Sequence, residues 1–255
     1  MLTYATANRA PSIHFEALPE EEHRHSHSIC SELHALSSYI VEFESSLALF
    51  EDVTERLFNV YARPPIEDRT RLRDIERLHH WRKVAAQDCA MTIFHFGSAR
   101  LGIHTSLGES KTMRTMMDAA LLKKASKAFA EYFPDYQPMR NGIAHAEEKH
   151  MTDRDMAKNV SIGDPISNAI NQLRGLSYSW GQIGLSSSKG SLSGGSLTDS
   201  VLSISNNNKM HSLEISKTTL GKLSEIRELY FDAFFTIEEK SRNARNALHA
   251  AGQPR

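Results

Sequence analysis

Near the middle of the chain, residues 138–148 read Pro-Met-Arg-Asn-Gly-Ile-Ala-His-Ala-Glu-Glu. Arg140 brings a planar fork of N–H donors suited to a phosphate, and its charge does not titrate away. Asn141 adds an amide that can orient a ligand or a neighbouring ring. His145 brings an imidazole, which gives or takes a proton near neutral pH. An anion anchor thus stands beside a proton carrier. Proline is tolerated in the first turn of a helix, so the spacing predicts a helix from about residue 138 to about residue 150. At about 100° per residue, Asn141, His145 and Glu148 share one stripe, and Arg140 starts about 100° round from it. A solvated first turn would use the same residue types, and a motif this short has low specificity.

The elements that must position this stretch follow from apolar spacing. Leu33, Leu36, Ile40, Phe43, Leu47, Phe50, Leu57 and Tyr61 fall on a 3,4 alternation broken at Thr54. This predicts one long helix over residues 28–62 with a narrow seam, stopped by Pro64 and Pro65. A second helix is expected over residues 67–107. Its latter half, including Val84, Met91, Ile93, Phe94 and Phe96, is apolar almost all round, as in a central helix. Within it, Trp81 and His95 are expected as core residues with a satisfied polar atom. Asp88 calls for a partner from another helix, an arginine or histidine by its charge. Met113, Met116, Met117, Leu121, Ala125, Phe129 and Phe133 predict a third helix over residues 111–133, with Lys123, Lys124 and Lys127 on or near its outer side. Those lysines are candidates for a nucleic-acid track, although a solvated face explains them equally well.

After residue 150 the helical period fades, and residues 186–200 hold seven serines and three glycines, the chemistry of a linker or hairpin tip. Short alternating segments flank this run at residues 176–180, 201–205 and 212–215, with Asn206, Asn207 and Asn208 as a turn. A small antiparallel sheet within residues 174–216 is expected. Ser216 or Thr218 can cap a last helix over residues 217–237, which returns Leu220, Leu223, Ile226, Tyr230 and Phe234 to the bundle. Residues 1–27, including His23, His25 and His27, are read as a solvated lead-in, because alternation by two spreads histidines around a helix. Residues 238–255 are read as a frayed tail, despite a loose second match in Arg242, Arg245, Asn246 and His249. The expectation is a mainly α fold, with residues 28–237 as a single helical domain carrying the sheet.

Composition narrows the function classes. Thirty basic and 31 acidic residues leave a net charge of -1, so no global basic field draws in nucleic acid, and any such contact must be local. Cys30 and Cys89 are too few for a disulfide framework and suit a reducing cytosol. No apolar run approaches the roughly 20 residues that span a bilayer, so a cytoplasmic protein without membrane partners is expected. Walker and Rossmann phosphate loops, a His-Glu-x-x-His zinc site and a nucleophile elbow are all missing from the sequence. Neither a metal nor a cofactor is expected.

The arginine, polar residue and histidine at Arg140, Asn141 and His145 resemble the signature of the HEPN superfamily of helical domains, many of whose members are metal-independent ribonucleases. The resemblance implies a HEPN-like helical bundle of long antiparallel helices. It also implies cleavage of single-stranded RNA, with Arg140 on the phosphate, Asn141 orienting it and His145 moving protons. One histidine cannot serve easily as both base and acid, and nucleases of the superfamily pair two motifs across a dimer. A homodimer is therefore expected, with an antitoxin or other protein as a further possible partner. Glu147 and Glu148 depart from that comfort, since they repel RNA unless they tune His145. The competing reading is a noncatalytic helical module that binds a protein or nucleotide partner, with the same three residues fixing the bundle.

Overall fold

The computed structural model describes residues 9–62, 69–144, 195–206 and 209–252. They form a mainly α-helical protein of long antiparallel helices with a small three-stranded antiparallel sheet. Helices α1 (His23–Tyr61) and α2 (Arg69–Gly108) are followed by α3 (Lys111–Met116), α4 (Ala119–Tyr132) and α5 (Tyr136–Ala144). Strands β1 (Gly195–Thr198), β2 (Val201–Asn206) and β3 (Lys209–Glu214) precede the last helix, α6 (Lys217–Gly252). The expected strand at residues 176–180, like the helix stop at Pro64 and Pro65, lies outside the described residues. The chain groups into two compact units, one of Met1–Phe43, His95–Pro134 and Leu220–Arg255, the other of Glu44–Phe94 and Asp135–Thr219.

In the first unit the seam of α1 is buried as its spacing requires, with Leu33, Leu36, Ile40 and Phe43 fully enclosed. Ser106 Oγ donates to Ser28 Oγ at 3.1 Å, and His95 stacks on Tyr39, so numbers fall along α2 as they rise along α1. That order makes the two helices antiparallel. His95 is exposed, contrary to the expectation of a core position. Leu101 is also exposed, so α2 is not buried all round. Its apolar majority had suggested a central helix, but Ile103 and Phe96 face inward and Leu101 does not. Around Phe129, α2 supplies a stacked Phe96 ring at 6.0 Å and the Arg100 guanidinium at 4.8 Å. Beside them His104 Nε2 meets Ser126 Oγ at 2.8 Å and the buried Tyr230 hydroxyl at 2.9 Å. Burial, followed by the Arg100 charge, lowers the His104 pKa and favours its neutral form.

The third helix is broken, which the 3,4 spacing concealed because Met113, Met116, Met117 and Leu121 keep that spacing across the break. Asp118 causes it: its Oδ1 accepts from the N–H groups of Ala120 and Leu121 at 2.9 and 3.1 Å, and so starts α4. The ends of α3 are satisfied from elsewhere. Glu22 accepts from the Thr112 and Met113 N–H groups, while Thr236 Oγ1 and Lys240 Nζ donate to the Met116 carbonyl.

Residues 9–22 are not a solvated lead-in, since Ala10, Ile13 and Leu18 are buried. Nor does the last helix fray at residue 238. Glu238 is enclosed there, receiving the Ser12 N–H at 3.1 Å and the guanidinium groups of Arg9 and Arg242, and Ser241 Oγ receives the His14 N–H. Two stretches poor in apolar residues thus order each other through polar contacts, which periodicity does not register. Burial alone would raise the Glu238 pKa. The Ser12 N–H and the charges of Arg9 and Arg242 outweigh it and hold the carboxyl below its ordinary 4.5.

In the second unit Val53, Leu57 and Leu78 form a buried cluster with Val60 and Ile75 against it. Val53 replaces Thr54 on the buried side, so the seam continues through the apparent break. Cys89 is fully buried, and burial, aided by Asp88, pushes its thiol up to about 12. Asp88 itself is exposed and takes its hydrogen bond from Ser46 Oγ, not from an arginine or histidine. Trp81 is exposed under the Arg77 guanidinium, so it too is no core residue. Burial, then the Arg82 charge, lowers the His79 pKa to about 4, and the neutral Nε2 meets the Tyr61 hydroxyl at 2.8 Å.

The sheet has the order β1-β2-β3. Strand β1 and the turn after it occupy the end of the serine- and glycine-rich run read as a linker or hairpin tip; of those two readings the hairpin fits here, with Leu197 paired opposite Leu202. The β1–β2 connection is Asp199-Ser200, with Asp199 at φ 48°, a left-handed conformation that aspartate tolerates. Arg82, packed over the Phe50 ring and bonded to Thr54 Oγ1, donates to the Asp199 carbonyl and ties this turn to the helix pair. Register places Asn206 opposite Lys209, which brackets the expected asparagine turn. Ser216 Oγ accepts from the Thr219 N–H at 3.3 Å and caps α6, as one of the two expected residues.

Two outcomes test these contacts. Asp118→Ala is expected to lower stability by about 1 kcal/mol, read as a lower urea midpoint at unchanged slope. Because the Glu238 pKa is lowered by folding, its ionised form stabilises the fold above pH 4.5 and loses that contribution as the pH falls through the folded value. The wild type should therefore melt higher than Glu238→Gln at pH 7, and the difference should shrink as the pH drops below 4.5.

Candidate functional site

Helix α5 begins directly after Asp135, whose carbonyl accepts from the Met139 N–H at 3.0 Å. The start is two residues before Pro138, which therefore lies within the first turn, where no N–H is needed. Met139 and Gly142, three apart on one side of the helix, are buried, and α5 lies against β2 and β3.

Arg140 sits beside that buried side, half-buried. Its guanidinium carbon lies 5.3 Å from the centre of the Phe94 ring, and the Tyr136 ring, one turn earlier on α5, is 6.3 Å from the same ring. Arg140 Nη1 donates to Asn141 Oδ1 at 3.2 Å, while Asn141 itself is exposed. Arg140 Nε is enclosed and finds no acceptor among the described residues. The aromatic face limits the guanidinium plane and the Asn141 amide limits its rotation, so the fork is held in one orientation. The structure thus brings Arg140 and Asn141 together. His145, Glu147 and Glu148 lie outside the described residues, as does the predicted end of the helix at residue 150.

A second imidazole touches the start of α5. His211 on β3 stands opposite Ile204 in the sheet, and its Nδ1 is 3.0 Å from Asp135 Oδ1. The His211 side chain is 11% exposed, so this contact is largely shielded on the histidine side. A carboxylate on Nδ1 fixes the tautomer and ring orientation, and that arrangement also fastens β3 to the first turn of the motif helix. Nothing in the polar sequence around His211 signals this contact, because Asp135 is far away along the chain. Phe94 was legible only as an apolar helix residue; its service as the plane under Arg140 depends on packing.

Lys123, Lys124 and Lys127 are exposed on α4, opposite its buried Leu122, Ala125 and Phe129. They belong to the first unit, whereas Arg140 and Asn141 belong to the second. Among the described residues no group of three or more histidine, cysteine or acidic side chains is arranged to hold a metal, and no helix is long and apolar enough to cross a membrane. No protein-family model, curated protein or solved structure matches the chain.

The geometry around Arg140 has a measurable consequence. Arg140→Lys keeps a positive charge but gives up the plane that rests on Phe94. It should lower stability by about 0.5–1 kcal/mol, seen in urea unfolding, with the far-ultraviolet circular dichroism of the folded state unchanged.

Proposed function

We propose that the chain is a HEPN-like helical protein that cleaves single-stranded RNA without a metal ion, using Arg140, Asn141 and His145. The observation that carries this reading is the Arg140–Asn141 pair, 3.2 Å apart on a helix whose last described residue, Ala144, precedes His145 in the sequence. In the reaction the ribose 2′-oxygen forms a bond to the adjacent phosphorus as the bond from phosphorus to the 5′-oxygen breaks. A base takes the 2′-hydroxyl proton, and an acid gives a proton to the departing 5′-oxygen. Arg140 faces the charge that grows on the phosphate oxygens, where a guanidinium held in place before reaction stabilises most. His145 moves one proton and His145 of a second copy moves the other, which makes the homodimer part of the mechanism. Lys123, Lys124 and Lys127 are the proposed contacts to the RNA backbone outside the reacting phosphate.

A second reading draws on a specific observation. Arg140 Nε is enclosed and the guanidinium rests on Phe94, so the arginine also suits a structural role that fixes α5 in a noncatalytic binding module.

The two readings separate in one assay. Purified protein in EDTA is expected to cut unstructured RNA, and His145→Ala is expected to lower the rate by about 10²- to 10⁴-fold at unchanged melting temperature. Equal activity in the wild type and His145→Ala would sink the nuclease reading and leave the binding module. Light scattering at micromolar concentration should show a dimer, and a strict monomer would remove the paired-histidine mechanism.

A further inference from the structure

The loose arginine, asparagine and histidine match near the C-terminus takes on a different meaning once α6 is seen to continue through it. Arg242, Arg245, Asn246 and His249 recur at three and four residues, so one stripe of the helix carries them all. Arg9 joins them from the segment before α1: both it and Arg242 donate to Glu238 Oε1, whose second oxygen is taken by the Ser12 N–H. Arg245 Nη1 donates to His14 Nδ1 at 3.1 Å.

The balance of charges and donors is uneven. Two guanidinium groups, those of Arg9 and Arg242, meet one buried carboxylate, Arg245 lies three residues beyond Arg242 on the same stripe, and each of the three carries five N–H donors. Glu238 is 4% exposed, while the side chains of Arg9 and Arg242 are 70% and 49% exposed. The carboxylate therefore lies beneath the arginines and the unspent donors face outward. Glu239, exposed one turn before Arg242, and Glu16, exposed near His14, are the other acids close in sequence; neither makes an ion pair with these arginines among the described residues. The excess of positive charge and planar donors fits a tetrahedral oxyanion with several acceptor oxygens better than it fits a carboxylate.

We propose that Arg9, Arg242 and Arg245 form a binding site for a phosphate-class anion, where the N-terminal segment meets the C-terminal part of α6. Exposed Asn246 and His249 extend the same stripe with further hydrogen-bonding groups. The site is separate from Arg140 and does not depend on RNA cleavage.

The test is calorimetric titration of the full chain with inorganic phosphate at an ionic strength held constant with chloride. Adenosine 5′-monophosphate and a short single-stranded RNA serve as parallel probes. Wild type is expected to bind phosphate, and the double variant Arg242→Gln, Arg245→Gln to bind it about tenfold more weakly. Arg114→Gln, which alters an exposed arginine on α3, should leave the affinity unchanged. If the double variant does not fold, Arg245→Gln alone leaves Glu238 with Arg9 and Arg242 and should still weaken phosphate severalfold. Tighter binding of the phosphate esters than of inorganic phosphate, lost in the same variants, would assign the site to nucleotides or nucleic acid; equal affinity would assign it to free phosphate. Absence of phosphate binding by the wild type, or equal weakening by Arg114→Gln, would overturn the proposal.

Discussion

The apolar seam of α1 is the constraint from which the rest of the structure follows. A stripe that includes Leu33, Leu36, Ile40, Phe43, Leu47, Phe50, Val53 and Leu57 is too long and too narrow to be buried by a short element. Only another long helix running beside it excludes water along that length, and α2 does so in both units. A side chain such as Leu36 or Phe43, once fully enclosed, contributes about 1.5–3 kcal/mol by leaving water. With that pair formed, the remaining helices have a surface to cover and the sheet has a helix pair to be fastened to.

What the seam leaves unsolved is polar. Long helices end in unpaired amides and carbonyls, and short helices such as α3 consist of little else. For α3 the partners come from distant parts of the chain, Glu22 at its start and Thr236 and Lys240 at its end, whereas α6 and α4 are capped by the residues just before them, Ser216 and Asp118. Glu238 extends the same device to the segment before α1. These contacts add specificity more than bulk stability, since each fixes which helix end meets which side chain.

The motif helix is governed by both kinds of constraint. Its burial is modest, Met139 and Gly142, so α5 relies on the sheet beside it, and Asp135 with His211 fastens the two at one end. Among the described residues Arg140 is steadied by an aromatic ring and an amide, not by an opposing carboxylate. A guanidinium that is oriented yet not neutralised keeps its charge available, and this property gives the proposed phosphate role its physical basis.

By itself the sequence determined the α1 seam, its helical partner, the α6 face through Tyr230 and Phe234, and the strand pair β2–β3. Each rests on a local period or turn signal that depends on neighbours a few residues away. The motif residues were legible in the same way, as types at a spacing. The break at Asp118 rests on a local polar cap, and tertiary structure decided the ordering of residues 9–22 against α6, the exposure of Trp81 and His95, and the pairing that makes residues 195–198 a strand. It also decided that Phe94 underlies Arg140 and that His211 meets Asp135. In every one of these cases the deciding partner is distant along the chain or polar, and hydrophobic periodicity registers neither sequence-distant contacts nor hydrogen bonds.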